Sequence, residues 1–223
     1  MRKSLFLILL STGVAAAHPH IDGGPALASK GGQLITFGIS HGCGGKDTVK
    51  IVVTIPAGVT GVRAFYGPFG APSVTTDANN NVTSVTWEKA TFEPVDKTYP
   101  QFTIRATIAD VPFTSIMFPV EQTCLDGTGP TVVNWNEPDD TNGKEAPKLK
   151  VVPARVAGWN KLTVPVAIAE DDLPAYFGDA QILWKGTAAY TPNGAVAALI
   201  TMTPGVSALS GGLSAGDEIW VKY

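Results

Sequence analysis

Short apolar runs of about four to eight residues recur along the whole chain, many of them bounded by glycine, proline or asparagine. Gln33–Ser40 follows a Gly-Gly pair, Thr48–Ile55 stops at Pro56-Ala57-Gly58, and Val82–Glu88 follows the tight-turn sequence Asn79-Asn80-Asn81. Gln101–Ile108 alternates and sets Phe102, Ile104, Ala106 and Ile108 on one face. Ser115–Val120, Thr131–Trp135 and Lys148–Val152 continue the series, and Trp159–Val166, Gln181–Trp184 and Asp217–Tyr223 close it. Gly194–Met202 is the one stretch that reads as a helix. Chains of this pattern bury their apolar faces by stacking antiparallel sheets, so the expected fold is an all-β antiparallel sandwich. Charge thins out and Ala, Gly and Leu rise beyond Arg155. The expected organisation is therefore a sandwich over 18–155 and a small β-rich C-terminal extension over 156–223, packed on it because 68 residues make a marginal independent core.

Residues 1–17 (MRKSLFLILLSTGVAAA) carry a positive start at Arg2 and Lys3, an apolar stretch from Leu5 to Leu10, and the small residues Ala15-Ala16-Ala17. That order is an export signal peptide, and its apolar run is too short for a membrane anchor. Its removal predicts a mature protein in the periplasm or outside the cell, with no membrane anchor. The formal net charge of −3 becomes −5 on losing Arg2 and Lys3, with 14 basic residues against 19 acidic ones. No block of basic residues offers a face for phosphates, which excludes nucleic acid as a partner. The two cysteines, Cys43 and Cys124, suit an oxidising compartment as one disulfide, worth roughly 4 kcal/mol by the entropy of the loop it closes. A copper(I) thiolate pair is the competing use, but the pair lacks CxxC spacing.

Cleavage after Ala17 makes His18 the first residue. Its α-amine and Nδ1 then close a six-membered chelate suited to Cu(II), which favours nitrogen–oxygen ligation and must displace the amine proton at neutral pH. His20 stands at the third position of an X-X-His terminus. The four-nitrogen wrap of such a terminus needs two backbone amides, and Pro19 supplies none, so the chelate must be completed by side chains elsewhere in the fold. The three histidines, His18, His20 and His41, all fall near the mature terminus.

Seven segments occur in an order that resembles the YcnI-like copper-binding domain of bacterial exported proteins. They are the start AHPHI, TIPAGV at Thr54–Val59, SVTW at Ser84–Trp87, YPQF at Tyr99–Phe102, FPVEQTCLDG at Phe118–Gly127, VVNW at Val132–Trp135 and APKLKVV at Ala146–Val152. The resemblance covers about residues 18–155. It implies an immunoglobulin-like β-sandwich that binds Cu(II) through the mature terminal histidine, with a carboxylate and a nearby tryptophan completing the site. His18 matches that histidine and Trp135 the tryptophan. The carboxylate departs: the loop expected to carry it reads ISHGCGG, with His41 at or next to the place and no acidic residue before Asp47. His41 in that role makes the site richer in nitrogen, and a disulfide at Cys43 would fix where it points. His20 is an alternative ligand, and Glu137 a weaker substitute carboxylate.

The expectation is a non-enzymatic Cu(II)-binding protein acting in copper sequestration, delivery or homeostasis, with copper as cofactor and a periplasmic copper-transfer protein as the partner such a role implies. A metal-independent interaction module is the alternative. A copper-dependent polysaccharide oxidase fits less well, since no histidine follows His41. There is no GxSxG elbow, no HExxH and no phosphate-binding glycine loop. Trp87, Trp159, Trp184 and Trp220 are expected to be packing residues, and Met117 and Met202 are too isolated for a methionine-rich copper site.

Overall fold

The computed structural model describes residues 18–94 and 96–223; the export segment read at residues 1–17 lies outside them. Two antiparallel sheets stack face to face. One joins β1 (Pro19–Asp22), β3 (Gln33–Ile39), β8 (Gln101–Ile108) and β5 (Val59–Ala64) in the order β1-β3-β8-β5. The other joins β4 (Asp47–Thr54), β6 (Ser73–Thr76), β7 (Val82–Glu88), β10 (Val120–Leu125) and β11 (Thr131–Trp135) in the order β11-β10-β4-β7-β6. A short third sheet, β2 (Ala26–Leu27), β12 (Lys148–Val152) and β9 (Thr114–Met117), flanks them. This is the expected immunoglobulin-like sandwich.

The alternation of β8 does what its sequence implies: Phe102, Ile104, Ala106 and Ile108 are all buried. They meet Phe37 and Ile39 of β3, and Ile51, Val85 and Trp87 of the facing sheet, in one core. Each such side chain contributes about 1.5–3 kcal/mol on leaving water. Cys43, in a single 3₁₀ turn after β3, is bonded to Cys124 of β10 across 81 residues, as the cysteine count predicts.

The expected single strand over Ser115–Val120 is two strands. Pro119 has no N–H to give a ladder, and the chain changes sheets there: β9 pairs with β12, whereas β10 pairs with β4 and β11. The strands β1, β2, β5 and β6 were not anticipated.

The chain from residue 156 forms a second five-stranded sheet. Its strands are β13 (Trp159–Thr163), β14 (Ile182–Lys185), β15 (Ala188–Tyr190), β16 (Ser207–Ala208) and β17 (Glu218–Lys222), in the order β13-β17-β14-β15-β16. Gly194–Met202 is indeed a helix (α2), started by Asn193, whose Oδ1 accepts from the Ala195 amide at 3.0 Å. It is not the sole helix. A five-residue α1 (Leu173–Phe177) precedes it and buries Leu173, Tyr176 and Phe177, an i, i+3, i+4 set too brief to read as periodic. These residues join Leu183, Ile219 and Val221 in a second core that also contains Phe113 and Val152. Phe113 packs against Tyr176 and Phe177 at centroid distances of 6.0 and 5.9 Å, and Lys150 pairs with Asp172 at 3.0 Å.

Candidate metal centre

β1 is an edge strand in antiparallel register with β3, Pro19 opposite Ile39 and His20 opposite Gly38. Proline is tolerated at the first position of such a strand because no ladder hydrogen bond is lost there. The register delivers His18, one residue ahead of β1, to the end of the sandwich where β11 finishes at Trp135. The two rings lie 5.0 Å apart between centroids, tilted by 51°. On the other side, His18 Nε2 is 3.6 Å from Asp140 Oδ1. Asp140 opens a 3₁₀ turn, Asp140–Asn142, whose first turn is fixed by Asp139 accepting from the Thr141 amide at 3.0 Å.

Beneath this corner runs a buried chain of polar groups. Trp135 Nε1 donates to Gln122 Oε1 at 3.0 Å, and Gln122 Nε2 donates to Thr48 Oγ1 at 2.8 Å and to the His41 carbonyl at 3.3 Å. Gln122 is fully buried, so these bonds satisfy an amide that would otherwise be costly, and they hold the indole in one orientation. A cavity of about 390 Å³ opens beside the corner, walled by His18, His20, Asp140, Glu145 and Lys148. Glu145 and Lys148 form an ion pair with each other.

His20 shares that cavity, but its ring is taken up by neighbours. Nε2 lies 2.7 Å from the Tyr99 hydroxyl and 3.0 Å from Asp22 Oδ1, and Nδ1 lies 3.3 Å from the His18 carbonyl. Asp22 also accepts from Tyr99 at 2.8 Å and from Gln101 Nε2 at 2.7 Å. Partial burial opposes ionisation of Asp22, but the bonds from Gln101 and Tyr99 and the charge of His20 outweigh it and lower its carboxyl below the ordinary value. Burial, the bond to Asp22 and the Asp22 charge push the Tyr99 phenol up to about 12. Gly38 makes the cluster possible: a Cβ there would overlap both the Tyr99 hydroxyl and the Asp22 carboxylate.

His41 Nδ1 faces the Gly42 carbonyl at 3.2 Å, and its loop is tied down by the disulfide at Cys43 and by the Gly42 amide donating to Asp96. His41 and Glu137 are not among the residues that wall the cavity. The structure thus brings His18, His20 and Trp135 to one corner and joins His41 to it through Gln122. Among the described residues no cluster of three or more His, Cys, Asp or Glu side chains is preassembled for a metal. Asp140 is the residue that sequence reasoning passed over: it sits in a polar turn 122 positions from His18, and its Asp-Asp neighbourhood reads as solvated loop.

A family described as a domain of unknown function (DUF1775) matches residues 68–156. That span contains Cys124, Trp135 and Asp140 but stops short of the three histidines. No curated protein matches the chain. Among solved structures, an uncharacterized protein from Nocardia farcinica, described as having an immunoglobulin-like fold, is 24% identical, over 60% of this chain and 98% of that one, with a TM-score of 0.46. A non-cellulosomal cohesin from Archaeoglobus fulgidus is 10% identical over 61% of this chain and 86% of its own, with a TM-score of 0.29. A putative membrane anchored protein from Corynebacterium diphtheriae is 13% identical over 61% of this chain and 36% of its own, with a TM-score of 0.34. The fold assignment stands on the strand registers above.

Proposed function

We propose that the protein, once trimmed to begin at His18, is a periplasmic Cu(II)-binding protein of copper sequestration, delivery or homeostasis that hands its ion to a copper-transfer protein and carries out no turnover. The observation that carries this reading is the setting of His18, held over Trp135 with Asp140 Oδ1 3.6 Å from its Nε2. The donor chemistry fits. A terminal chelate uses the α-amine and Nδ1, and the nitrogen it leaves over, Nε2, is the one turned to a carboxylate. Ligating histidines commonly donate their second N–H to a carboxylate, which orients the ring and raises its basicity, and Asp140 at 3.6 Å stands just outside that bond, placed to close it. Asp140 therefore acts as the orienting carboxylate of His18, and Trp135 as the surface that limits ring rotation and keeps water off one side. The disulfide supports an oxidising compartment. Bound Cu(II) would supply a borderline Lewis acid at the tip of the sandwich; the chain's own contribution is to hold the imidazole and, once trimmed, to offer the amine.

The test compares two forms of the protein, one beginning at His18 and one with a single glycine ahead of it. Competition titration against a moderate chelator, with electron paramagnetic resonance to count nitrogens, is expected to give tight 1:1 binding for the first form alone. Equal binding by both, or none by either, overturns the reading. A metal-independent interaction module is the second reading, and a different part of the molecule favours it.

A further inference from the structure

The four tryptophans expected to pack do not behave alike. Trp87 is fully buried, but Trp159 is 50% exposed and Trp220 49% exposed, and Trp184 is mostly covered without being buried. The last three line one shallow depression of about 400 Å³ on the tail. Their placement follows from register. On β17, Ile219 and Val221 point into the second core, which turns Trp220 outward. Trp184 of β14 lies directly opposite Trp220, and Trp159 of β13 lies opposite Lys222, on the same outer face. Three adjacent, hydrogen-bonded strands thus each present one indole on a rigid surface.

Two half-exposed tryptophans and a third at the surface beside them, gathered on one face, mark a binding surface rather than a random exposure. Its size decides what it can bind. Two half-exposed indoles and a third that is mostly covered offer on the order of 250 Å² together, well below the roughly 800 Å² per partner that a stable protein interface buries. The charges nearby are sparse: Lys161, opposite Trp220, is paired with Glu218 at 2.7 Å, which leaves Lys222, opposite Trp159, as a single excess positive charge beside the indoles. A flat, aromatic patch of this size with one excess positive charge is too small for a second copy and too weakly charged for a polyanion. It suits pyranose rings, which have an apolar C–H face to lay on an indole and hydroxyls at the ring edge to meet Lys161, Glu218 and Lys222. Trp184 and Trp220 are directly opposed on strands about 4.8 Å apart, close to one sugar unit, and Trp159 lies diagonally about 7–8 Å from Trp220, so an extended chain crossing the strands obliquely can meet all three indoles.

We propose that Trp159, Trp220 and Trp184 form a platform for a neutral, extended glycan chain. The platform does not depend on the copper reading. The test uses the full processed protein with cellohexaose and chitohexaose as probes, read by tryptophan fluorescence and calorimetry. At least one oligosaccharide is expected to bind saturably. Trp159→Ala and Trp220→Ala should each weaken it by about tenfold, by analogy with base stacking on aromatic side chains. The double variant should abolish binding while leaving the circular dichroism and thermal midpoint unchanged. His18→Ala should bind the oligosaccharide as the parent protein does, which separates this result from the copper experiment. The proposal is overturned if neither probe binds the parent protein or if the double variant binds as tightly. It is also overturned if the parent protein sediments as a dimer that the double variant dissolves.

Discussion

His18 and His20 are two residues apart, line one cavity and differ in almost everything else. His20 has both ring nitrogens near polar partners, at 2.7 Å from Tyr99, 3.0 Å from Asp22 and 3.3 Å from the His18 carbonyl. His18 has an aromatic neighbour and one loose carboxylate contact of 3.6 Å. A ring with every nitrogen engaged serves the fold, because a metal would have to displace bonds already made. A ring oriented from one side by a single carboxylate and an aromatic neighbour is better suited to acquire a ligand. The difference arises from register: His20 is opposite Gly38, where space exists for Tyr99 and Asp22 to close over it, while His18 lies just past the ladder.

The largest expected effect that tests this contrast is on copper itself. His18→Ala should weaken Cu(II) binding by more than about 100-fold, exceeding what loss of an outer partner costs, whereas His20→Ala should leave the titration nearly unchanged. Equal losses would erase the distinction. Next, Asp140→Asn should weaken binding by roughly tenfold, the low end for an outer carboxylate because this one is exposed. A third outcome runs the other way: His20→Ala should lower stability to denaturant by about 1 kcal/mol, since Tyr99 and Asp22 lose a partner, while His18→Ala should cost little.

The smallest effect is the pH response of the His20 cluster. The Asp22 carboxyl is lowered in the folded protein, so its contribution is present above about pH 4 and fades as pH falls through the folded value. The Tyr99 phenol is raised to about 12, so its contribution is complete below pH 10 and is lost as pH climbs toward 12. Denaturant titrations of the parent protein and Tyr99→Phe should converge at the alkaline end. Curves that stay parallel there would show that Tyr99 carries no such linkage.

Much of the sandwich was legible because its strands alternate: Gln101–Ile108 and Val82–Glu88 have the boundaries their patterns imply. The sheet switch at Pro119 was not, since Phe118 and Val120 are both apolar and the run looks continuous. On the tail, Glu218–Lys222 reads as an unbroken Ile-Trp-Val run, so period alone did not say which face the indole takes; burial of Ile219 and Val221 decides it. His18 and Trp135 were named from the order of segments, and they do meet. Asp140 was not, because a 3₁₀ turn folding back on the terminus is a long-range event with no local signature. His41 was placed by loop correspondence, but its ring is turned to its own loop.

Gln122 links the corner to the disulfide. It is two positions before Cys124 on β10, both are buried, and the Thr48 hydroxyl that accepts from Gln122 also lies 3.8 Å from Cys124 Sγ. The floor under Trp135 and the sulfur bridge are therefore one mechanical assembly. Thiol reductants in a purification buffer would capture copper and also slacken the surface on which His18 rests. A preparation kept reduced would then report a weak site for two separate reasons, and reduced protein freed of the reductant, set beside the oxidised protein, tells them apart.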